Sequence, residues 1–255
     1  MSVVGRFLEF GVHTSDIIES LHFYRTLGFA DMEIGDIWTH KYAVLGDGEF
    51  NVALHDREFD GPAITFVHPD LARHARSMAD HGFDFRFLRL DEDVFNELGF
   101  KCRDGHLITM QEARTFTPVD EYENDSLCGS LFEISLPVRD TIRAAAFWAP
   151  IAPVMLDMRE EPTPHMRFDA GGVPVGLSES IALTAPSLCF KCRDKDALRA
   201  CIDADGLEHT PFPGYEGAFV ALHAPEGTTL FVFDEDFLGE SYEVEEDGDP
   251  DDFDL

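Results

Sequence analysis

Hydrophobic and polar residues along the chain follow two periods, one typical of strands and one typical of helices. Residues 7–13 alternate as a strand does, and Asp16 then stands where a helix N-cap is expected, with Glu19 three residues on as in a capping box. Apolar residues recur at helical spacing up to Gly28, which predicts a left-handed helix end. Three strand-like runs follow, at about residues 29–34, 38–45 and 50–56. The segment therefore predicts the element order β-α-β-β-β.

The same order recurs in the next fifty residues. A strand-like run at 63–67 precedes a helix that Asp70 caps and Gly82 ends. Three further strand-like runs follow, near residues 84–90, 97–102 and 106–112. Residues 131–179 and 187–234 give a third and a fourth copy of the pattern.

Similar residues 124 positions apart relate the two halves of the chain. The pairs are Glu9 and Glu133, Asp16 and Asp140, Pro62 and Pro186, and Gly82 and Gly206. A fixed period of this kind is typical of an internal duplication. We predict an α+β fold in which four βαβββ modules form two curved-sheet domains. The predicted domains are residues 1–113 and 130–238, with a linker at 114–129 and an acidic, disordered tail at 239–255.

The charge of the chain excludes two classes of partner. Fifty acidic residues against nineteen basic ones give a formal charge of −31 and a pI near 4.4. This field repels phosphate, so we expect neither nucleic acid nor an anionic membrane surface as a partner. No run reaches the roughly 20 apolar residues of a membrane span, and residues 1–6 lack a signal-peptide pattern. We expect a reduced, cytoplasmic chain that is a monomer or a homodimer.

The common catalytic motifs are absent from the sequence. It contains no Gly-rich phosphate loop, HExxH, GxSxG or EF-hand pattern, which argues against nucleotide hydrolysis, zincin proteolysis and α/β-hydrolase chemistry. Cys189 and Cys192 form a CxxC, but no second pair stands at zinc-finger spacing. We interpret the five cysteines as structural.

One phrase of the first module resembles a known superfamily. Residues 20–29 read SLHFYRTLGF, and an Arg-Asp-Gly turn at 103–105 precedes the last apolar strand of the second module. Together with the four-module pattern, these features resemble the vicinal oxygen chelate superfamily. That superfamily includes glyoxalase I, bleomycin-resistance proteins, fosfomycin-resistance enzymes and extradiol dioxygenases. The resemblance covers about residues 5–236 and indicates fold more strongly than function.

The resemblance implies that two modules curl into one cup, with metal ligands on the first and last strands. The first ligand position falls on Glu9, and on Glu133 in the second half. The remaining positions fall near Asn51, Ala63 and Thr109 in one cup, and near Val175, Ser187 and Phe231 in the other. Since alanine, valine and phenylalanine offer no lone pair, we expect neither cup to hold a metal of the family type.

Glu9 is the main candidate on physical grounds. Strand alternation puts Phe7, Glu9 and Gly11 on one face, which would point the carboxylate into the cup. An apolar surrounding would raise its pKa and suit it to act as a general base. The alternative is a structural carboxylate that is hydrogen-bonded to backbone or to an arginine. Glu133 is the weaker counterpart.

Further polar and aromatic side chains are candidates for binding a ligand. In the first cup they are His13, His40, Asn51, His55, Thr109 and Gln111. In the second cup they are His165, Arg167, Cys189 and Phe231. Glu9, His13 and His55 form an alternative, displaced site for a divalent metal such as Fe, Mn, Ni or Zn. Arg167 would meet an anionic ligand or pair with Glu133, and we favour the pair.

Three functions are compatible with these features. The first is binding of a small, aromatic or planar organic ligand without a metal or other cofactor. The second is a divalent-metal-dependent lyase, isomerase or dioxygenase that uses Glu9. The third is a structural module whose cups are filled by its own side chains. We favour the first.

Overall fold

The structure is a computed structural model that describes residues 4–33, 40–80, 82–91, 96–113, 126–211 and 219–235. The first half contains β1 Arg6–His13, α1 Ile17–Thr26, β2 Ala30–Asp31, β3 Tyr42–Gly46, β4 Asn51–His55, β5 Ala63–His68, α2 Leu71–Asp80, β6 Phe85–Arg89, β7 Glu97–Lys101 and β8 Leu107–Glu112. The second half contains β9 Ser130–Pro137, α3 Thr141–Trp148, β10 Val154–Arg159, β11 His165–Ala170, β12 Val173–Ser178, β13 Ser187–Cys192, α4 Lys195–Asp205, β14 His209–Pro211, β15 Phe219–His223 and β16 Thr229–Asp234.

The two halves have the same sheet topology. Each is an eight-stranded mixed sheet, with the orders β2-β3-β4-β1-β5-β8-β7-β6 and β10-β11-β12-β9-β13-β16-β15-β14. In both sheets the first strands of the two modules pair antiparallel at the centre, β1 with β5 and β9 with β13. The predicted α+β fold of four βαβββ modules is confirmed.

Helix ends follow local chemistry that was readable in the sequence. The carboxylate of Asp16 accepts hydrogen bonds from the backbone of Ile18 and Glu19, at 3.0 and 3.1 Å. The second hydrogen bond of the predicted capping box is not formed. The backbone N–H of Asp16 donates to Thr14 Oγ1 and not to the side chain of Glu19. Gly28 follows α1 with φ of 89°, a conformation that side chains with a Cβ disfavour.

The helices and the buried strand faces form one core that includes both halves. Phe10, Tyr24 and Phe66 of the first half belong to the same buried cluster as Trp148 and Phe190 of the second. Polar contacts cross the same boundary. Tyr24 Oη and Ser20 Oγ both donate to the carboxylate of Glu226, at 2.7 and 2.8 Å. The sheet faces that carry Glu9 and Glu133 turn away from this core.

The predicted linker and tail are only partly described. Residues 126–129 pack against the first half, where the backbone N–H of Leu127 donates to the carbonyl of Leu27 at 2.8 Å and Cys128 is buried. Residues 114–125 and the tail at 239–255 lie outside the described residues. The domain boundaries therefore stay predictions.

Candidate functional site

A row of polar side chains crosses the open face of the first sheet. Glu9 pairs in register with Thr65, and Thr65 pairs with Thr109 on β8. The two threonine hydroxyls are hydrogen-bonded at 2.8 Å. Ala63, where the resemblance placed the third family position, pairs instead with Gly11. The sequence alignment was therefore two residues out at β5, and Thr65 is the residue beside Glu9.

Above this row lies a cavity of about 360 Å³. Gly11 and Ala63 leave its floor open because their side chains are small, and Phe59 and Phe87 contribute aromatic walls. Phe87 packs over Gly99, where no Cβ would fit beneath its ring. The cavity has the size and the mainly apolar character of a small-molecule pocket.

Glu9 lines this cavity and is only 6% exposed. Within the described residues its carboxylate has neither a hydrogen-bond donor nor a cation as partner. Burial without such a partner raises the pKa of Glu9 from 4.5 to about 7. A carboxyl group with this pKa can hold or release a proton near neutral pH, as a general base or acid requires.

Two histidines form a pair at the side of the cavity. His40 Nε2 and His55 Nδ1 are 2.9 Å apart, and both rings line the pocket. His55 also stacks on Tyr42, with centroids 5.3 Å apart. Burial, and secondarily the nearby His40, lowers the pKa of His55 to about 4, so its ring is neutral at physiological pH. The two rings contact each other, which the sequence did not indicate.

The remaining first-cup candidates occupy different positions. Thr109 and Gln111 line the cavity. Asn51 supports the strand beside Glu9, since its Nδ2 donates to the carbonyl of Leu8 at 3.1 Å. His13 lies at the end of β1, in register with His55, and is not among the residues that line the cavity.

Charged residues at the cavity mouth were missed by the sequence analysis. Asp60 pairs with Lys101 at 2.6 Å and with Arg86 at 3.5 Å, and Arg89 pairs with Glu97 across β6 and β7. Phe59 was also missed, since it lies in a loop without periodicity. The sequence could have indicated Thr65, because it lies 124 residues before Cys189, which was a candidate ligand-binding residue of the second cup.

The second sheet fills the equivalent space with its own side chains. His165 Nε2 lies 3.1 and 2.9 Å from the two carboxylate oxygens of Glu133, and both residues are buried. Arg167 pairs with Asp157 at 2.8 Å and stacks 4.0 Å from the ring centroid of Phe132. The predicted Arg167–Glu133 pair is wrong, because Asp157 lies directly across from Arg167 on β10.

Cys189 and Phe231 complete the corresponding row in the second sheet. Cys189 pairs in register with Glu133 on one side and with Phe231 on the other. Burial, and then the charge of Glu133, raises the pKa of the Cys189 thiol well above its usual range. The protonated thiol and the phenyl ring are poor ligands for a divalent cation. All five cysteines are free thiols.

Neither row fits a divalent metal site. One offers a carboxylate and two hydroxyls, the other a carboxylate, a protonated thiol and a phenyl ring. Across the ranges given above, no three His, Cys, Asp or Glu side chains converge as ligands, so Glu9, His13 and His55 are not assembled as such a set. Glu133 is in addition already engaged by His165.

Comparison with solved structures identifies the fold. The chain superposes on the 2,3-dioxygenase LapB from Pseudomonas sp. KL28, with a TM-score of 0.61, 12% identity, and coverage of 89% of this chain and 91% of that one. It matches homoprotocatechuate 2,3-dioxygenase from Arthrobacter globiformis with a TM-score of 0.60, 13% identity, and coverage of 91% and 80%. For 2,2',3-trihydroxybiphenyl 1,2-dioxygenase from Sphingomonas wittichii strain RW1 the TM-score is 0.57, the identity 14%, and the coverage 89% of each chain.

The chain has the vicinal oxygen chelate fold. It has the tandem, two-domain form of that fold, as the duplicated sheets and the extradiol dioxygenase structures agree. No family model and no curated protein matches the sequence. None of the described helices is long and apolar enough to cross a membrane.

Proposed function

We propose that the first cavity binds a small, aromatic or planar organic ligand without a metal of the family type. The flat floor at Gly11 and Ala63 and the rings of Phe59 and Phe87 suit a planar molecule. Aromatic compounds are also named in the structures with the same fold, which act on homoprotocatechuate and on a trihydroxybiphenyl.

The observation that carries the proposal is the contrast between Glu9 and Glu133. Glu133 is buried and satisfied by His165, whereas the described residues leave Glu9 without a donor although it is equally buried. Burial of an unpaired carboxylate is costly in free energy. A ligand group that donates a hydrogen bond to Glu9 would remove that cost, which favours binding. Glu9 is then the polar anchor of the pocket, and a proton acceptor where the ligand carries an acidic proton.

Binding should depend on Glu9 and not on its counterpart. Screening planar aromatic compounds by thermal shift is expected to find ligands that raise the melting temperature of the wild-type chain. For such a ligand, Glu9→Gln should lower affinity by about tenfold or more, as loss of one charge-assisted hydrogen bond implies. Glu133→Gln is the matched control and should leave affinity within about twofold. Equal losses in both variants, or a loss in Glu133→Gln alone, would contradict the proposal.

A second candidate function follows from the comparisons. The solved structures with this fold include 2,3-dioxygenases and an extradiol ring-cleaving dioxygenase, which favours a divalent-metal-dependent lyase, isomerase or dioxygenase as the alternative. Elemental analysis of the purified protein separates the two functions. We expect less than stoichiometric Fe, Mn, Ni and Zn, and one tightly bound metal per chain whose removal abolishes activity would establish the alternative.

A cytoplasmic monomer or homodimer stays our prediction.

A further inference from the structure

The two sheets place the equivalent carboxylates of Glu9 and Glu133 in different surroundings. Glu133 packs over Gly176 of β12, where any Cβ would overlap its carboxyl group. Only glycine therefore permits Glu133 to turn toward β11 and meet His165. This makes Gly176 a condition for the internal pair.

The first sheet has neither a glycine at the position of Gly176 nor a histidine at the position of His165. Gly176 pairs with Ser135, two residues after Glu133, and Ala53 of β4 pairs with Gly11, two residues after Glu9. Ala53 is thus the structural counterpart of Gly176. Its methyl group lies at the position in the first sheet that is equivalent to the one that the Glu133 carboxyl group covers in the second sheet. Glu9 is directed instead into the cavity that it lines.

The counterpart of His165 also differs. His165 pairs with Ser178, two residues after Gly176, and Tyr42 pairs with His55, two residues after Ala53. Tyr42 therefore stands where the second sheet has the imidazole that satisfies its carboxylate. Its ring stacks on His55, and the negative charge of Glu9 adds to burial in raising the pKa of Tyr42 to about 12. The first sheet thus has a phenol where the second sheet has an imidazole.

From this comparison we propose that the deep end of the first cavity binds a cationic, hydrogen-bond-donating group of a planar aromatic ligand, with Glu9 as its counter-ion. The inference rests on the proposed function and adds the charge of the ligand to it. An amidinium or a protonated aminoheterocycle would supply to Glu9 the N–H group that His165 places beside Glu133, together with a positive charge. Such planar, forked donors match the two oxygens of a carboxylate.

Two further features favour a cation over an anion. The chain carries a formal charge of −31, so its field attracts cations to a cleft and repels anions. Of the basic side chains that line the cavity, Arg86 and Arg89 are paired with Asp60 and Glu97, and Arg57 is exposed to solvent. Among the buried lining residues, Glu97 has Arg89 as its partner, whereas Glu9 is a carboxylate without such a pair in the described part of the chain. Phe59 and Phe87 also present aromatic rings to a bound cation.

The test uses three ligands of one shape and different charge. The full-length protein is titrated calorimetrically at pH 8 and 0.2 M salt with 2-naphthamidine, 2-naphthamide and 2-naphthoate. We expect 2-naphthamidine to bind at least tenfold more tightly than the other two. Glu9→Gln should remove this preference, so that 2-naphthamidine and 2-naphthamide bind with affinities within about threefold of each other.

Asp84→Asn is the control for the overall field, because it removes the same charge from an exposed residue that does not line the cavity. It should change no affinity by more than about twofold. A wild-type affinity for 2-naphthoate equal to that for 2-naphthamidine would overturn the inference and leave the proposed function intact. An amidine preference that Asp84→Asn abolishes and Glu9→Gln retains would also overturn it. If none of the three ligands binds, the proposed function fails with the inference.

Discussion

Replacing Gly176 by alanine is expected to lower the free energy of unfolding by about 1–3 kcal/mol, the usual cost of leaving a buried polar group without its hydrogen-bond partner. The added methyl group would occupy the space of the Glu133 carboxyl group. The carboxylate must then leave His165, which loses its buried partner. Since both groups are buried on the second sheet, water cannot replace the lost contact without opening that face. Chemical denaturation of wild type and variant measures the change.

Gly11→Ala is the matched control for this substitution. Gly11 also lies in a central strand, but a Cβ there would have its nearest contact at an ordinary 3.7 Å, to His55 Nε2. Its cost should stay below about 1 kcal/mol. The double variant Glu133→Ala/Gly176→Ala removes the overlap, so its loss should be smaller than the sum of the two single losses. Additive losses would show that Gly176 does not act through Glu133.

Glu9→Gln is expected to become more stable relative to wild type as the pH rises. The folded chain raises the pKa of Glu9 from 4.5 to about 7, so the folded state holds a proton that the unfolded state has released between these values. The stabilisation by this proton is complete below pH 4.5 and is lost as the pH rises through 7. The shift corresponds to about 3 kcal/mol.

The quantity to measure is the difference in unfolding free energy, Glu9→Gln minus wild type, from pH 4 to pH 8. We expect it to rise by about 3 kcal/mol over this range, since groups such as His55 titrate in both proteins and cancel. Glu58→Gln should give a flat difference, because an exposed carboxylate is solvated in both states. A flat difference for Glu9→Gln would mean that the carboxylate has a partner in solution.

Local and repeated features of this protein were determined by the sequence alone. The 124-residue shift and the alternation of apolar residues predicted four βαβββ modules, and Asp16 and Gly28 marked the ends of α1. These features depend on side-chain period and on backbone chemistry within a few residues, which a sequence displays directly. The same alternation predicted the orientation of Glu9 toward the open face, but it was wrong for Phe7, because a β-bulge between the two residues turns Phe7 toward Phe50 and Phe66 of the core.

The partners of the two carboxylates were decided only by the tertiary structure. The sequence placed Glu9 and Glu133 at one position of the duplicated fold, but their neighbours come from β4 and β12, more than forty residues away in the chain. Because of the sheet register, the residue beside Glu9 is Thr65 and not the predicted Ala63. Arg167 likewise pairs with Asp157 and not with Glu133. It also placed Ala53 and Tyr42 in the first sheet where the second sheet has Gly176 and His165, and one carboxylate faces a cavity whereas the other meets a histidine. Such a difference arises from packing between distant strands, and neither composition nor periodicity records it.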